Sequence, residues 1–256
     1  MKRFIQISLF ILFTVSVAAL MVYVYMLHRN EPLNKIEIHV ARPSEKGFLD
    51  KEEIYHYLYQ YVSDTDRLSN INTNLIEDSL WKNPWVDKVD AYTDIDGNLI
   101  INIKESEPVL RVFSPAGKSF FLDKTGKILP LSSKYTPRLT IANGYIKTLP
   151  LKGHDNIYDT VYKKEDLRKL LFVSKKLNRY PFLKSLISEI YLNSNREFDL
   201  IPIIGSQVIK LGDTTNIDHK LENLVIFYKR SLVYEGWDKY KTLNLKFRNQ
   251  IICTKN

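Results

Sequence analysis

One apolar run near the N-terminus constrains this chain more than any other feature. Phe4 to Leu27 is 24 residues long and carries no Asp, Glu, Lys, Arg or His. Lys2 and Arg3 stand just before it, and His28 and Arg29 just after. At a rise of about 1.5 Å per residue, a helix of that length reaches about 36 Å, enough to cross a hydrocarbon core of about 30 Å. A cleavable signal has a shorter apolar stretch, about 7–15 residues, ending at small residues. Cutting after Ser16-Val17-Ala18 would leave the apolar stretch Ala19 to Leu27 in water, so 4–27 reads as an uncleaved transmembrane helix. Tyr23 and Tyr25 fall near its far end, where amphipathic rings favour the interface. The positive-inside count has little bias: two basic residues precede the run, and Arg29, Lys35 and Arg42 follow it. The simpler topology is a short cytoplasmic stub, 1–3, with everything after the span exported.

The net charge of +8 is unevenly placed. Residues 31–150 hold 15 basic and 17 acidic side chains, whereas 151–256 hold 19 basic and 12 acidic. A basic half can signal nucleic acid. Here the lysines (Lys163, Lys164, Lys169, Lys175, Lys176, Lys184) alternate with apolar helix positions, the pattern of a solvated face. An exported domain meets no nucleic acid, so the charge suits anionic lipid or an acidic protein. The single cysteine, Cys253, excludes an internal disulfide.

Beyond the span, Lys35 to Val40 alternates as a strand, with Ile36, Ile38 and Val40 on one face. Asp50 caps a helix whose stripe is Ile54, Tyr57, Leu58, Tyr61 and Val62, with Glu53 three residues after the cap. Asn74 to Lys82 predicts a second helix, capped by Thr73, with Leu75, Ile76 and Leu80 inward. Asn83-Pro84 stops it. Trp85, read as a core tryptophan, and Val86 open a strand to Thr93; Asp94 to Asn98 turns, and Leu99, Ile101 and Ile103 mark the return strand. Strand, helix, helix, strand, strand makes an α+β unit with two helices on one face of a three-stranded sheet.

From Pro108 the pattern becomes β-rich. Strands are expected at 109–113, 118–122, 127–131 and 138–142, with turns at Ser114-Pro115-Ala116-Gly117 and Asp123-Lys124-Thr125-Gly126. A loose connection at 145–162 contains Pro150, Gly153 and His154. A helix at 164–179 shows Leu167, Leu170, Leu171, Ser174 and Leu177 on one stripe and ends at Pro181. Strands follow at 186–193, 197–201 and 207–211, then a last helix at 216–234. The chain closes on strands at 241–247 and 251–255, joined by a turn at Asn249-Gln250. This is a mixed β-rich domain with two helices packed on a sheet.

The β-α-α-β-β order resembles a POTRA domain. Leu80-Trp81-Lys82-Asn83-Pro84-Trp85-Val86, the hairpin, and Ile103-Lys104-Glu105-Ser106-Glu107-Pro108-Val109 together resemble the FtsQ/DivIB family of division proteins. So do Gly205 with Val208 to Gly212, the helix carrying Lys220-Leu221, and Leu243-Asn244-Leu245-Lys246-Phe247-Arg248. Ser106 stands where the family commonly has a basic residue, and Phe247 where its closing run has tyrosine. The resemblance implies four parts: stub 1–3, span 4–27, POTRA domain 33–106 and FtsQ-type β domain 107–256. It implies a single-pass inner-membrane protein with a cytoplasmic N-terminus and a periplasmic C-terminal domain at the division septum. As a scaffold it would link early and late divisome assembly to septal peptidoglycan synthesis. FtsB/FtsL-like partners would bind at the C-terminal sheet edge, and other divisome proteins at the POTRA domain. The alternative is a POTRA-bearing accessory of outer-membrane protein assembly or transport; repeated POTRA units or a barrel, expected of that class, are missing from the pattern.

No residue pattern points to catalysis or to a cofactor. His28, His39, His56, His154 and His219 form no metal-ligand spacing, and His39 falls on the polar face of its strand. Glu105 and Glu107 are two apart and expected to be solvated or paired with lysine rather than to do acid–base work. Cys253 has no neighbouring base in sequence to lower its pKa. Binding is what remains, and an unpaired strand edge offers a ladder of N–H and C=O groups to an extended partner. The candidate partner-binding residues are Leu245, Lys246, Phe247, Arg248, Asn249, Gln250, Ile251, Ile252 and Cys253, with Lys246, Arg248 and Lys255 flanking an acidic segment.

Overall fold

The computed structural model describes residues 2–256 apart from 43–44, 64–65, 116, 147–154, 160–164 and 249. Helix α1 (Lys2–Arg29) contains the apolar stretch Phe4–Met26, 23 residues, long and apolar enough to cross a membrane. From Phe4 to Met26 its side chains are almost all exposed. The remainder divides between two compact units at Glu105 and Ser106.

In the first unit, β1 (Ile36–Ala41), β2 (Val86–Thr93) and β3 (Leu99–Glu105) form a sheet in the order β1-β3-β2. β1 runs parallel to β3, so the two helices α2 (Lys51–Leu58) and α3 (Thr73–Trp81) lie in the crossover that parallel pairing requires. Leu99, Ile101 and Ile103 of the central strand are buried, each burial contributing about 1.5–3 kcal/mol. Asp50 caps α2 by accepting from Glu52 N–H at 3.0 Å. The cap of α3 is Asn72, not Thr73: its side-chain oxygen accepts from Leu75 N–H at 3.1 Å, which starts the helix one residue early. Ile76 and Leu80, four apart, share the buried face as expected, whereas Leu75, about 100° round the helix from Ile76, is 50% exposed and not inward. Trp85 is buried and stacks on Phe48 with ring centroids 3.5 Å apart.

Glu105 departs from the expectation of a solvated carboxylate. The alternation that buries Leu99, Ile101 and Ile103 continues to it, and it is 4% exposed. Its two oxygens accept from Phe48 N–H at 2.9 Å and Leu49 N–H at 3.2 Å. Glu107 is exposed.

The second unit is built on nine strands in the order β12-β11-β10-β9-β8-β7-β4-β5-β6. They are β4 (Pro108–Phe113), β5 (Ser119–Asp123), β6 (Ile128–Leu129), β7 (Ile141–Gly144), β8 (Ile187–Leu192), β9 (Phe198–Pro202), β10 (Val208–Gly212), β11 (Tyr240–Asn244) and β12 (Ile252–Lys255). The parallel pairs β7–β8 and β10–β11 are joined by helical crossovers. The first crossover carries α4 (Glu165–Asn178) and α5 (Pro181–Leu186), the second α6 (Ile217–Phe227). Leu167, Leu170, Leu171 and Leu177 join Ile217, Leu221 and Leu224 in one core with the sheet. Pro181 does more than stop α4: it opens α5, a position where its missing N–H costs nothing. The expected helix 216–234 is interrupted. After α6 a π turn (Tyr228–Leu232) keeps both Tyr228 and Leu232 against the core, and one further turn, Val233–Glu235, ends it. Parts of the expected 145–162 connection, Ala116 of the first turn and the Lys164 start of α4 lie outside the described residues.

Candidate partner-binding edge

The two edges of the nine-stranded sheet differ. At β6 the chain covers its own edge: Ile128 N–H donates to Asp155 O at 2.8 Å, and Lys127 bridges Asn156. At the opposite edge β12 pairs antiparallel with β11, and among the described residues no strand lies on its other side.

The register fixes which groups of β12 are open. Leu245 N–H donates to Lys210 O at 2.9 Å, so odd-numbered residues at this end of β11 turn their backbone toward β10. Thr242 and Asn244 therefore turn theirs toward β12, where they face Thr254 and Ile252. Asn256 N–H, donating to Lys239 O, has the same parity. The N–H and C=O groups of Cys253 and Lys255 are left pointing to the open edge. On the core-facing side, Cys253 stands opposite buried Leu243 and packs with Ile251 against the core. Ile252 and Thr254 are exposed.

Beside this edge the 245–251 loop and the start of α6 enclose a groove of about 370 Å³. Phe247, Arg248, Gln250 and Ile251 line one wall, and Asn216, His219 and Asn223 the other. Asn216 enters α6 in the left-handed conformation, φ 51°. Lys220 is committed: its Nζ donates to Asp213 O at 2.9 Å and Oδ1 at 3.0 Å.

The candidate residues separate into three kinds. Leu245 is buried and acts as core. Lys246 is not a free cation flanking the edge. Its Nζ donates to both oxygens of Glu197, at 2.8 and 2.9 Å, and its stem crosses Gly212 where a Cβ would come within 2.7 Å of Cγ. Gly212 has φ +76°, so that crossing also needs the glycine backbone. Phe247, Arg248, Gln250 and Ile251 are brought to the groove, and Ile252 and Cys253 to the edge strand. Asn249 lies outside the described residues. Sequence reading missed the α6 wall, because the parallel crossover that brings residue 216 beside 247 leaves no local pattern.

Burial, with a smaller contribution from Glu235, pushes the Cys253 thiol above its ordinary pKa, so it stays protonated at neutral pH. Glu235 accepts from Lys239 at 2.7 Å and from the Tyr240 hydroxyl, and Lys239 holds its carboxyl below the usual range. Among the described residues no three His, Cys, Asp or Glu side chains converge as a metal site.

Comparison with known proteins agrees with this architecture. Residues 33–104 match the family described as POTRA-like domain. Residues 107–254 match the family described as FtsQ/DivIB, C-terminal related. The chain belongs to the FtsQ/DivIB family. A cell division protein FtsQ from Rhodothermus marinus is 25% identical over 226 residues, covering 86% of this chain and 76% of that relative. The FtsQ of Geotalea daltonii is 24% identical over 225 residues, covering 87% of this chain and 75% of its own length. With α1 as the span, this is a single-pass membrane protein with a role in cell division.

Proposed function

We propose that the chain is a non-catalytic scaffold of the division machinery that accepts an extended segment of an FtsB/FtsL-like membrane protein as the next strand on β12. The observation that carries this reading is the asymmetry of the sheet: β6 is covered by the chain, whereas among the described residues no strand pairs with the outward backbone groups of Cys253 and Lys255, beside an exposed groove. Main-chain bonds to that edge supply affinity, and Ile252, Phe247 and the groove supply side-chain selection. Arg248 and Lys255 favour an acidic segment. The working topology puts 1–3 in the cytoplasm and modules 33–106 and 107–256 in the periplasm at the septum, with the first module recruiting other divisome proteins. So placed, the scaffold links early and late divisome assembly to septal peptidoglycan synthesis.

Photocrosslinking in dividing cells tests this. A photoreactive side chain at Ile252 or Thr254 should capture an FtsB-like protein, and depletion of the chain should give filaments. Capture only from positions in 33–106 would misplace the interface. Normal division with outer-membrane defects would favour the assembly-accessory alternative instead.

A further inference from the structure

Among the described residues, the β2–β3 hairpin tip carries the most exposed large apolar side chain outside the span. Ile95 is 88% exposed, in a turn whose other residues are polar or glycine. A lone exposed isoleucine is ordinary on a soluble surface. What distinguishes this one is where the fold puts it.

The chain leaving α1 is pinned along one end of the first unit. Glu31 O accepts from Leu68 N–H at 3.0 Å, and Leu33 N–H donates to Asp66 O at 2.8 Å. Asn34 N–H then donates to Gly97 O at 2.9 Å, and Lys35 O accepts from Leu99 N–H at 2.9 Å. Because β1 is parallel to β3, this end of the sheet is the one that faces the end of α1. A Cβ built on Gly97 would lie 3.4 Å from Pro32 O, so the tip stands level with Pro32, three residues past Arg29. Three residues span at most about 11 Å. The apolar stretch of 23 residues is about 35 Å long against a core of about 30 Å, so its end already reaches the headgroup layer.

The turn is built to hold its tip out. Asp94 accepts from Asp96 N–H at 3.0 Å, Asn98 N–H at 2.8 Å and Asn98 Nδ2 at 2.8 Å. Gly97 supplies φ +78°. These bonds use the Asp94 carboxylate locally, and its charge is held by the turn rather than presented to lipid. Asp96 remains exposed, which limits the tip to shallow contact.

We infer that Ile95 is an interfacial anchor: it dips into the headgroup–acyl boundary of the same bilayer that α1 crosses. A second contact point beside the span fixes the tilt of the first unit, which a single helix with a short connection leaves free. The inference rests on α1 as a span and is independent of which side the domain occupies and of strand addition at β12.

Full-length chain carrying Cys253→Ser and Asp96→Cys, labelled with an environment-sensitive dye, is reconstituted in phosphatidylethanolamine–phosphatidylglycerol vesicles. The dye should be quenched by headgroup-region nitroxide lipid and shielded from iodide. Both effects should be lost when Ile95→Asp is added, and absent when the dye is moved to Lys82→Cys at the other end of the sheet. Ile95 touches no core, so resistance to limited proteolysis should be unchanged in the variant. Equal quenching with and without Ile95, or none at Asp96→Cys, overturns the inference. Strand-partner binding should survive Ile95→Asp, so failure here leaves the edge reading standing.

Discussion

Replacing Glu105 by alanine removes one buried carboxylate and orphans two backbone donors at once. Phe48 and Leu49 N–H both donate to it, and both residues are buried beside Trp85. Hydrogen bonds to a charged group contribute about 1.5–3 kcal/mol each, so their joint loss costs about 3–6 kcal/mol. A unit of this size has a total stability of about 4–10 kcal/mol, from about 0.05–0.15 kcal/mol per residue. Glu105→Ala should therefore remove from about a third to all of the first unit's stability and shift its urea midpoint down accordingly. Glu105→Gln keeps the volume and one acceptor oxygen but turns an NH₂ toward a donor, and should lose about half as much. Urea unfolding of the full chain in micelles, followed by tryptophan fluorescence, reads this directly. Trp85 reports on the first unit through its stack on Phe48, and Trp237 on the second through its contact with Tyr228. The Trp237 transition should not move. A loss below about 1 kcal/mol for Glu105→Ala would mean that water replaces the carboxylate and that the clamp contributes only as an ordinary surface bond.

Four further outcomes follow from particular contacts. Cys253→Pro removes an N–H that points to the open edge, so it should spare the β11–β12 pairing while abolishing partner capture. Thr254→Pro removes a ladder bond and should loosen β12 itself, read as faster amide exchange in β11. Lys246→Ala breaks an ion pair that is about one-third exposed, so its loss should cost no more than about 1 kcal/mol and leave partner capture intact. Tyr228 is pushed up to about 12 by burial, against 10.0 in the unfolded chain. Between those values only the unfolded chain loses the proton, so stability falls as pH rises. The fall should be on the order of 2–3 kcal/mol by pH 12, absent from Tyr228→Phe and so visible in the difference between the two profiles.

What the sequence made legible was mostly local. The span, the capped α2, the Asn83-Pro84 stop and the β3 alternation are each written within a few residues, and each is present in the fold. Glu105 was legible too: period two places it on the face of Leu99, Ile101 and Ile103, but carboxylate chemistry argues for solvent unless backbone donors are waiting. Those donors lie 56–57 residues away, which no local pattern discloses. The same limit hid the pairing of Lys246 with Glu197, 49 residues apart, and the α6 wall of the groove. The π turn at Tyr228–Leu232 was hidden because the apolar stripe continues through it. The strand at the C-terminal end of the sheet is legible from its own residues; which of its N–H groups face outward requires the β10–β11 register.

That parity is the most direct test of the strand-accepting edge. Residue-resolved amide exchange is measured on the chain alone and with the periplasmic segment of an FtsB-like partner. The account predicts that Ile252 and Thr254 are protected in both states, whereas Cys253 and Lys255 exchange freely alone and become protected with the partner. Cys253 and Lys255 amides that stay unprotected in a demonstrated complex would contradict it.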